Sequence, residues 1–175
     1  ELDTAQSANM SWVDIKIYIN NLTFLSFPRF PASTGVFVLE AADFDGDGHP
    51  DLAAGDSTAN AVNIYYNALP DRKKFENPYA LALPLAQEGI VSGLCTGDFD
   101  SDGNASQDIV VASQGQLYLI PNLGTSFAVP VPIPVSHQLF ALRCGRVNGD
   151  DLPDIIASWL GTDGLALFIN NGDGT

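Results

Sequence analysis

The decapeptide Asp43-Phe44-Asp45-Gly46-Asp47-Gly48-His49-Pro50-Asp51-Leu52 recurs in related form at two later points of this 175-residue chain. The second copy is Asp98-Phe99-Asp100-Ser101-Asp102-Gly103, closing with Asp108-Ile109, and the third is Arg146-Val147-Asn148-Gly149-Asp150-Asp151-Leu152-Pro153-Asp154-Ile155. The copies begin about 50 residues apart, a period typical of propeller blades and longer than leucine-rich or helical-pair repeats. The spacing therefore favours a radial β architecture.

The sequence around each copy predicts β-strands. Apolar runs precede the copies at 36–42, 90–97 and 139–145, others follow at 52–55, 109–112 and 155–158, and a third set lies at 62–66, 116–120 and 165–169. Such short apolar runs between turn residues are typical of buried strands. A fourth strand is expected to open at Phe75 and at Phe127, on the sheet edge because proline lacks the amide hydrogen of a central strand. Four antiparallel strands then make one blade.

The repeats divide the whole chain into blade units. We expect a half blade at 1–34, blades at 35–88 and 89–136, and an incomplete blade at 137–175. The predicted fold is an all-β propeller segment of about three and a half blades, whereas propellers close with about 4 to 8 blades. The expected partners therefore include the remaining blades of a larger ring or a second chain.

The repeated loops are expected to bind a cation. Aspartate at loop positions 1, 3, 5 and 9, with glycine at position 6 for a sharp turn, forms the oxygen cage that Ca²⁺ favours, and Mg²⁺ fits such a cage less well. The predicted ligands of the first loop are Asp43, Asp45, Asp47, the His49 carbonyl and Asp51. Those of the second loop, which is two residues longer, are Asp98, Asp100, Asp102, Asn104 and Asp108.

The third copy departs from this pattern. Arg146 replaces the first aspartate, and we expect its cation to face Asp150 and Asp154. The weak candidate ligands are Asn148, Asp150 and Asp154. The sequence thus predicts Ca²⁺ in two loops and a self-neutralised third loop.

An EF-hand loop also begins Asp-x-Asp-x-Asp-Gly, but the flanking residues argue against it. An EF-hand requires glutamate at position 12 between two helices, whereas Ala54 and Ile109 hold that position here, within strand-like runs.

The Asp-Phe-Asp-Gly-Asp-Gly-x-x-Asp-Leu pattern of the first loop and the ending Ile169-Asn170-Asn171-Gly172-Asp173-Gly174-Thr175 resemble FG-GAP or VCBS-type repeats. Such repeats build the propeller of integrin α subunits and of lectin-like propellers. The resemblance implies four-stranded blades with a calcium loop between the first and second strands, rings of six to eight blades and an extracellular or cell-surface location. In such relatives the calcium chiefly supports structure, and ligands bind elsewhere on the propeller.

Composition and charge exclude several other functions. The net charge of −14 would repel a phosphate backbone, which excludes nucleic acid as a partner, and about half of the acidic residues belong to the three loops. No apolar stretch reaches the ~18 residues that a membrane-inserted helix requires. Cys95 and Cys144 lie one residue out of register in their repeats, so we expect opposite sheet faces and free thiols.

No catalytic arrangement is evident. His49 and His137 lie outside any recognised nucleophile or metalloprotease motif, and the carboxylates have the spacing of metal ligands rather than of a glycosidase pair. Asn21 and Asn104 lie in glycosylation sequons at predicted turns. The sequence predicts a calcium-stabilised, non-catalytic recognition or adhesion module with a protein or glycan ligand. The alternatives are a lectin-type propeller, with aromatic residues stacking on sugars, and an accessory domain of a secreted polysaccharide-active enzyme.

Overall fold

The structure is a computed structural model that describes residues 11–13, 16–19, 23–26, 30–32, 35–67, 79–84, 90–103, 106–161 and 164–172. All regular elements of these residues are β-strands: β1 Ser11–Val13, β2 Lys16–Ile19, β3 Thr23–Ser26, β4 Phe30–Ala32, β5 Val36–Ala42, β6 Asp51–Asp56, β7 Ala61–Tyr65, β8 Tyr79–Ala82, β9 Val91–Gly97, β10 Asp108–Ser113, β11 Gln116–Ile120, β12 Val131–Ile133, β13 Leu139–Gly145, β14 Asp154–Trp159 and β15 Leu165–Phe168. Within this described part of the chain, no helix is long and apolar enough to cross a membrane.

The strands form successive antiparallel sheets, which confirms the predicted all-β fold class. The first blade has the strand order β5-β6-β7-β8 and the second has the order β9-β10-β11-β12. The third blade comprises β13-β14-β15. Before the first blade, β1 pairs with β4 and β2 pairs with β3, within the region predicted as a half blade.

The blades pack face to face, with their first strands side by side. The second blade's β9 contacts β5 on one side and β13 on the other, as in an open, partial propeller ring. Successive side chains of β10 point to opposite faces of the sheet. Ile109 and Val111 therefore join a buried cluster with the first blade, and Val110 and Ala112 join a second cluster with the third blade. Both faces of the second blade are covered, which explains why its strands have few polar residues.

The fourth strand of the second blade begins later than predicted. It opens at Val131 rather than at Phe127, which instead forms an isolated bridge with Asn122. The Phe127 ring points inward and meets the Phe44 ring of the first blade edge-on, at a centroid distance of 5.9 Å. Packing of this aromatic ring therefore displaces the start of the edge strand. Phe75, the corresponding prediction in the first blade, lies outside the described residues.

The prediction of free thiols is wrong, because Cys95 and Cys144 form a disulfide with a Cα–Cα distance of 5.6 Å. Cys95 lies on β9 and Cys144 on β13, the first strands of adjacent blades. When two equivalent blades stack, the facing surfaces are opposite faces of the repeat. A one-residue offset in register therefore brings the two sulfurs together.

Loss of the disulfide should destabilise the contact between the second and third blades. Closing a loop over a sequence separation of 49 residues corresponds to about 4 kcal/mol of chain entropy, and native disulfides typically contribute about 2–4 kcal/mol. In urea unfolding, the free energy of unfolding of the Cys95→Ser/Cys144→Ser variant should be lower than that of the wild type by about 2–4 kcal/mol. Addition of dithiothreitol should no longer change it. Alkylation of both cysteines in the unreduced, unfolded wild-type chain would contradict the bond.

Candidate metal centres

The three aspartate loops lie between the first and second strands of their blades, as the resemblance implies. They connect β5 to β6, β9 to β10 and β13 to β14. Gly48 and Gly103, at position 6 of the first two loops, have φ values of +84° and +85°. Glycine adopts this left-handed conformation without the steric cost that a side chain adds. The glycines thus allow the carboxylates on either side to turn toward one point.

Each loop ends in a fully buried aspartate whose two oxygens join separate parts of the blade. Asp51 Oδ2 accepts a hydrogen bond from the Phe44 amide at 2.9 Å, and Asp51 Oδ1 accepts one from the Asn67 amide at 2.8 Å. The same two bonds recur from Phe99 and Asn122 to Asp108, and from Val147 and Asn170 to Asp154. We call Asp51, Asp108 and Asp154 the clamp aspartates. Each holds the start of its loop against the end of the third strand.

The first two loops bring three carboxylates together. One oxygen from each of Asp43, Asp45 and Asp51 can be chosen so that all three atoms lie within 4.8 Å of one another. Asp98, Asp100 and Asp108 form the same arrangement. Such a set of hard oxygen donors suits Ca²⁺.

Main-chain amides hold these carboxylates in place. Gly46 and Gly48 donate from their amides to the two oxygens of Asp43, each at 2.8 Å. In the second loop, the Ser101 amide donates to Asp98 at 3.0 Å. The turns thereby orient the carboxylates of the two loops.

The three-carboxylate groups do not include all of the predicted ligands. Asp47 accepts a hydrogen bond from the His49 amide at 2.7 Å, and the Asp102 amide donates to Asp100 at 3.2 Å. Neither Asp47 nor Asp102 belongs to the three-carboxylate groups. Asn104, a predicted ligand and sequon residue, lies outside the described residues, as does the sequon residue Asn21. Their assignments stay predictions.

The third loop keeps its clamp aspartate but replaces the rest of the cluster with amide contacts. Asn148 donates from Nδ2 to Asp150 at 2.6 Å, and the Leu152 amide donates to Asp150 at 2.9 Å. The prediction that Arg146 faces Asp150 and Asp154 is wrong, because Arg146 pairs with Asp151 at 3.1 Å. Asp154 is buried with both oxygens bonded to amides, whereas the Arg146–Asp151 pair is largely exposed. An arginine can reach Asp151 without losing its hydration, and such surface pairs stabilise little.

The surroundings of the clamp aspartates set their pKa values. Burial raises the pKa of Asp51 to about 6, opposed by the Asn67 and Phe44 amides and reinforced by the charges of Asp45 and Asp47. Burial likewise raises the pKa of Asp108 to about 6, with Asp100 and Asp98 as the neighbouring charges. In Asp154, hydrogen bonds from the Val147 and Asn170 amides lower the pKa. The two clamp aspartates within carboxylate clusters therefore differ electrostatically from the third.

His137 and two tyrosines, which are candidate functional side chains outside the loops, make packing contacts instead. The His137 ring lies 5.0 Å from the Trp159 ring, and its Nδ1 is 2.9 Å from the adjacent Ser136 hydroxyl. Tyr65 and Tyr118 are buried, so neither presents a ring on which a sugar could stack.

The sequence analysis missed the asparagines that follow the third strands. Asn67, Asn122 and Asn170 each donate a main-chain amide to a clamp aspartate. Asn122 also donates from Nδ2 to the Phe44 carbonyl at 2.9 Å, which joins the second blade to the first loop. In each blade an asparagine follows the third apolar run of the sequence, and this recurrence could have pointed to these residues. An asparagine in that place indicates by itself only a turn.

The raised pKa values predict an unusual pH dependence with chelator present. Because Asp51 and Asp108 have pKa values of about 6 in the folded chain against an ordinary 3.8, the folded state binds more protons between pH 4 and 6. The free energy of unfolding should therefore fall as the pH rises through this window, by about 1 to 3 kcal/mol per carboxyl.

Urea unfolding in EDTA between pH 4.5 and 7 measures the trend, and ¹³C-detected titration identifies the two carboxyls. Asp154 changes protonation only below this window because its pKa is lowered, so it serves as the internal reference. Carboxyl resonances of Asp51 and Asp108 that titrate near pH 4 would contradict the electrostatic account.

Comparison with known proteins agrees with the loop pattern. Residues 43–106 match the family model described as FG-GAP-like repeat, a range that contains the first loop and the start of the second. No curated protein matches the chain. Among solved structures, a chain of the Photorhabdus luminescens Tc holotoxin pore is similar, with 20% identity and a TM-score of 0.47 over 97% of this chain. This chain spans only 9% of that toxin chain. The similarity to FG-GAP-like repeats is thus confined to residues 43–106, which contain the Asp-Phe-Asp segments of the first two loops.

Proposed function

We propose that the first two loops each bind one structural Ca²⁺ and that the chain is a non-catalytic, extracellular recognition or adhesion module. The observation that carries the proposal is the convergence of three carboxylates in both loops. The third loop, with arginine and asparagine at two ligand positions, is not proposed to bind the ion.

The donor set fits calcium. Asp43 and Asp45 would supply oxygens from the loop, and Asp51 would supply one from the start of β6; Asp98, Asp100 and Asp108 would do the same in the second loop. Two carboxylates about 4 Å apart repel by roughly 4 kcal/mol at an effective dielectric of 20. A divalent cation offsets this repulsion and favours the ionised clamp aspartate.

An ion in the first loop would stabilise more than the loop itself. Phe44, which follows the first ligand, packs against Phe127 of the second blade and accepts a hydrogen bond from Asn122 through its carbonyl. The Phe44 amide is in turn bonded to Asp51. Ordering the loop around Ca²⁺ would therefore also order a contact between blades.

Two further observations support the proposal, one concerning the compartment and the other the role of the carboxylates. The Cys95–Cys144 disulfide fits an oxidising compartment. Asp51 and Asp108 accept hydrogen bonds from main-chain amides and lie in the carboxylate clusters, which suits them to ion binding rather than to acid–base exchange with a substrate. Recognition of a protein or glycan ligand is the activity that such a rigid scaffold serves.

Calcium binding should be visible in both stoichiometry and stability. We expect two ions per chain by isothermal titration, and one in each of the single variants Asp45→Asn and Asp100→Asn. At a free Ca²⁺ concentration of 100 Kd, each site should raise the free energy of unfolding by about 2.7 kcal/mol.

The matched control is Asp150→Asn in the third loop, which should leave the stoichiometry at two. An unchanged melting temperature on moving from EDTA to Ca²⁺, with no heat of binding, would refute the structural-metal proposal.

The recognition role predicts calcium-dependent ligand binding. The chain should retain a defined glycan or extracellular protein on arrays, and the signal should fall at least tenfold in EDTA and in the Asp45→Asn/Asp100→Asn variant. Turnover of a polysaccharide by the chain alone would instead indicate an enzyme.

A further inference from the structure

One asparagine side chain connects the first two aspartate loops. Asn122 Nδ2 donates to the Phe44 carbonyl of the first loop at 2.9 Å and to the Gln107 carbonyl of the second loop at 3.3 Å. A side-chain amide has two hydrogens, so it can serve both carbonyls at once. The Asn122 Oδ1 is engaged separately, because it accepts a hydrogen bond from the Gly124 amide at 3.0 Å. We call the two bonds made by Nδ2 the amide link.

On the side of the first loop, the amide link holds the segment between two carboxylates of the cluster. Phe44 lies between Asp43 and Asp45, and its carbonyl belongs to the same planar peptide group as the Asp45 amide. The Phe44 amide donates to Asp51, the third carboxylate of the cluster. The amide link therefore fixes the peptide plane from which Asp45 extends.

On the side of the second loop, the same residue contacts the clamp aspartate. Gln107 directly precedes Asp108, and the Asn122 main-chain amide donates to Asp108 Oδ1 at 2.7 Å. Asp108 belongs to the second carboxylate cluster. Ordering of Asp108 therefore also orders the residue that fixes the Asp45 peptide.

The connection between the two loops is shielded from water. Phe44, Asn122, Asp51 and Asp108 are each at most 1% exposed, so a bond lost here is not replaced by one to solvent unless the structure opens. The Phe127 ring, from the segment that follows Asn122, packs edge-on against Phe44. We therefore expect the two loops to gain or lose order together.

The third blade offers a matched comparison. Asn170 is the counterpart of Asn122, because its amide donates to Asp154 and its Oδ1 accepts a hydrogen bond from the Gly172 amide at 2.8 Å. Its Nδ2, however, has no hydrogen-bond partner among the described residues. Asn170 thus makes the same turn contact as Asn122 without an amide link.

We propose that the amide link makes calcium binding at the first two loops positively cooperative. This inference rests on the proposed function, in which each of these loops binds one Ca²⁺. Binding at one loop orders its carboxylates and Asn122, so the other loop loses less conformational entropy when it binds in turn. By thermodynamic linkage, each site raises the affinity of the other by the same factor.

Isothermal titration of the full chain and of its single-site variants measures the coupling. Asp45→Asn leaves the second site and Asp100→Asn leaves the first, and each asparagine keeps the Oδ1 that accepts a main-chain amide hydrogen of its loop. The overall association constant of the wild type for two ions should exceed the product of the two single-site constants at least about fivefold. In Asn122→Ala this ratio should fall to about 1 with two ions still bound, whereas Asn170→Ala should keep the wild-type ratio.

Amide hydrogen exchange followed by NMR tests the route. The Gly46 and Gly48 amides, which donate to Asp43, report on the first loop. In Asp45→Asn, calcium at the second site should slow their exchange at least about threefold. Adding Asn122→Ala should abolish this calcium effect. A contribution of Asn122 to stability alone would change exchange equally with and without calcium.

The outcomes separate this inference from the proposed function. A wild-type ratio of about 1 with two ions bound would overturn the coupling and leave the calcium sites in place. A raised ratio, or a calcium effect on Gly46 and Gly48, that survives Asn122→Ala would overturn the assignment to the amide link. Absence of calcium binding would overturn the proposed function and this inference with it.

Discussion

A single buried carboxylate in each blade connects the parts on which the rest of the fold depends. Asp51, Asp108 and Asp154 each accept one amide hydrogen from the second residue of their loop and one from the asparagine after the third strand. A buried charge is costly unless it is fully hydrogen-bonded, so these paired bonds make the burial tolerable. Because the loop and the strand end bond to the same side chain, removal of that carboxylate would break both contacts.

The third blade keeps this structural role in a loop that lacks the full set of carboxylates. Asp154 keeps both main-chain bonds although its loop has Arg146 and Asn148 where the others have aspartates. Its pKa is lowered, whereas burial among like charges raises those of Asp51 and Asp108. The two clamp hydrogen bonds therefore do not require the full set of loop carboxylates, and the extra carboxylates of the first two loops create an electrostatic cost that a cation would offset.

The contacts between blades follow from the alternation of side chains along each strand. The second blade sends Ile109 and Val111 to one neighbour and Val110 and Ala112 to the other. The same geometry explains the disulfide: Cys95 and Cys144 occupy opposite faces of the repeat, and opposite faces meet when blades stack. The one-residue offset of the two cysteines places them on opposite faces of the repeat, which prevents a disulfide within one blade but allows one between two stacked blades.

The amino-acid sequence by itself determined the period of the repeats, the positions of the loop aspartates and the first three strands of each blade, because apolar alternation and turn chemistry are local properties. The role of the loop glycines was also predictable from the sequence, because a sharp turn requires a left-handed conformation such as that of Gly48, which glycine adopts without steric cost. Only the tertiary structure decided which carboxylates converge, where Arg146 pairs and that Phe127 packs on Phe44. These features join residues of different strands or different blades. Their distances depend on how the sheets stack, a relation that no local pattern encodes.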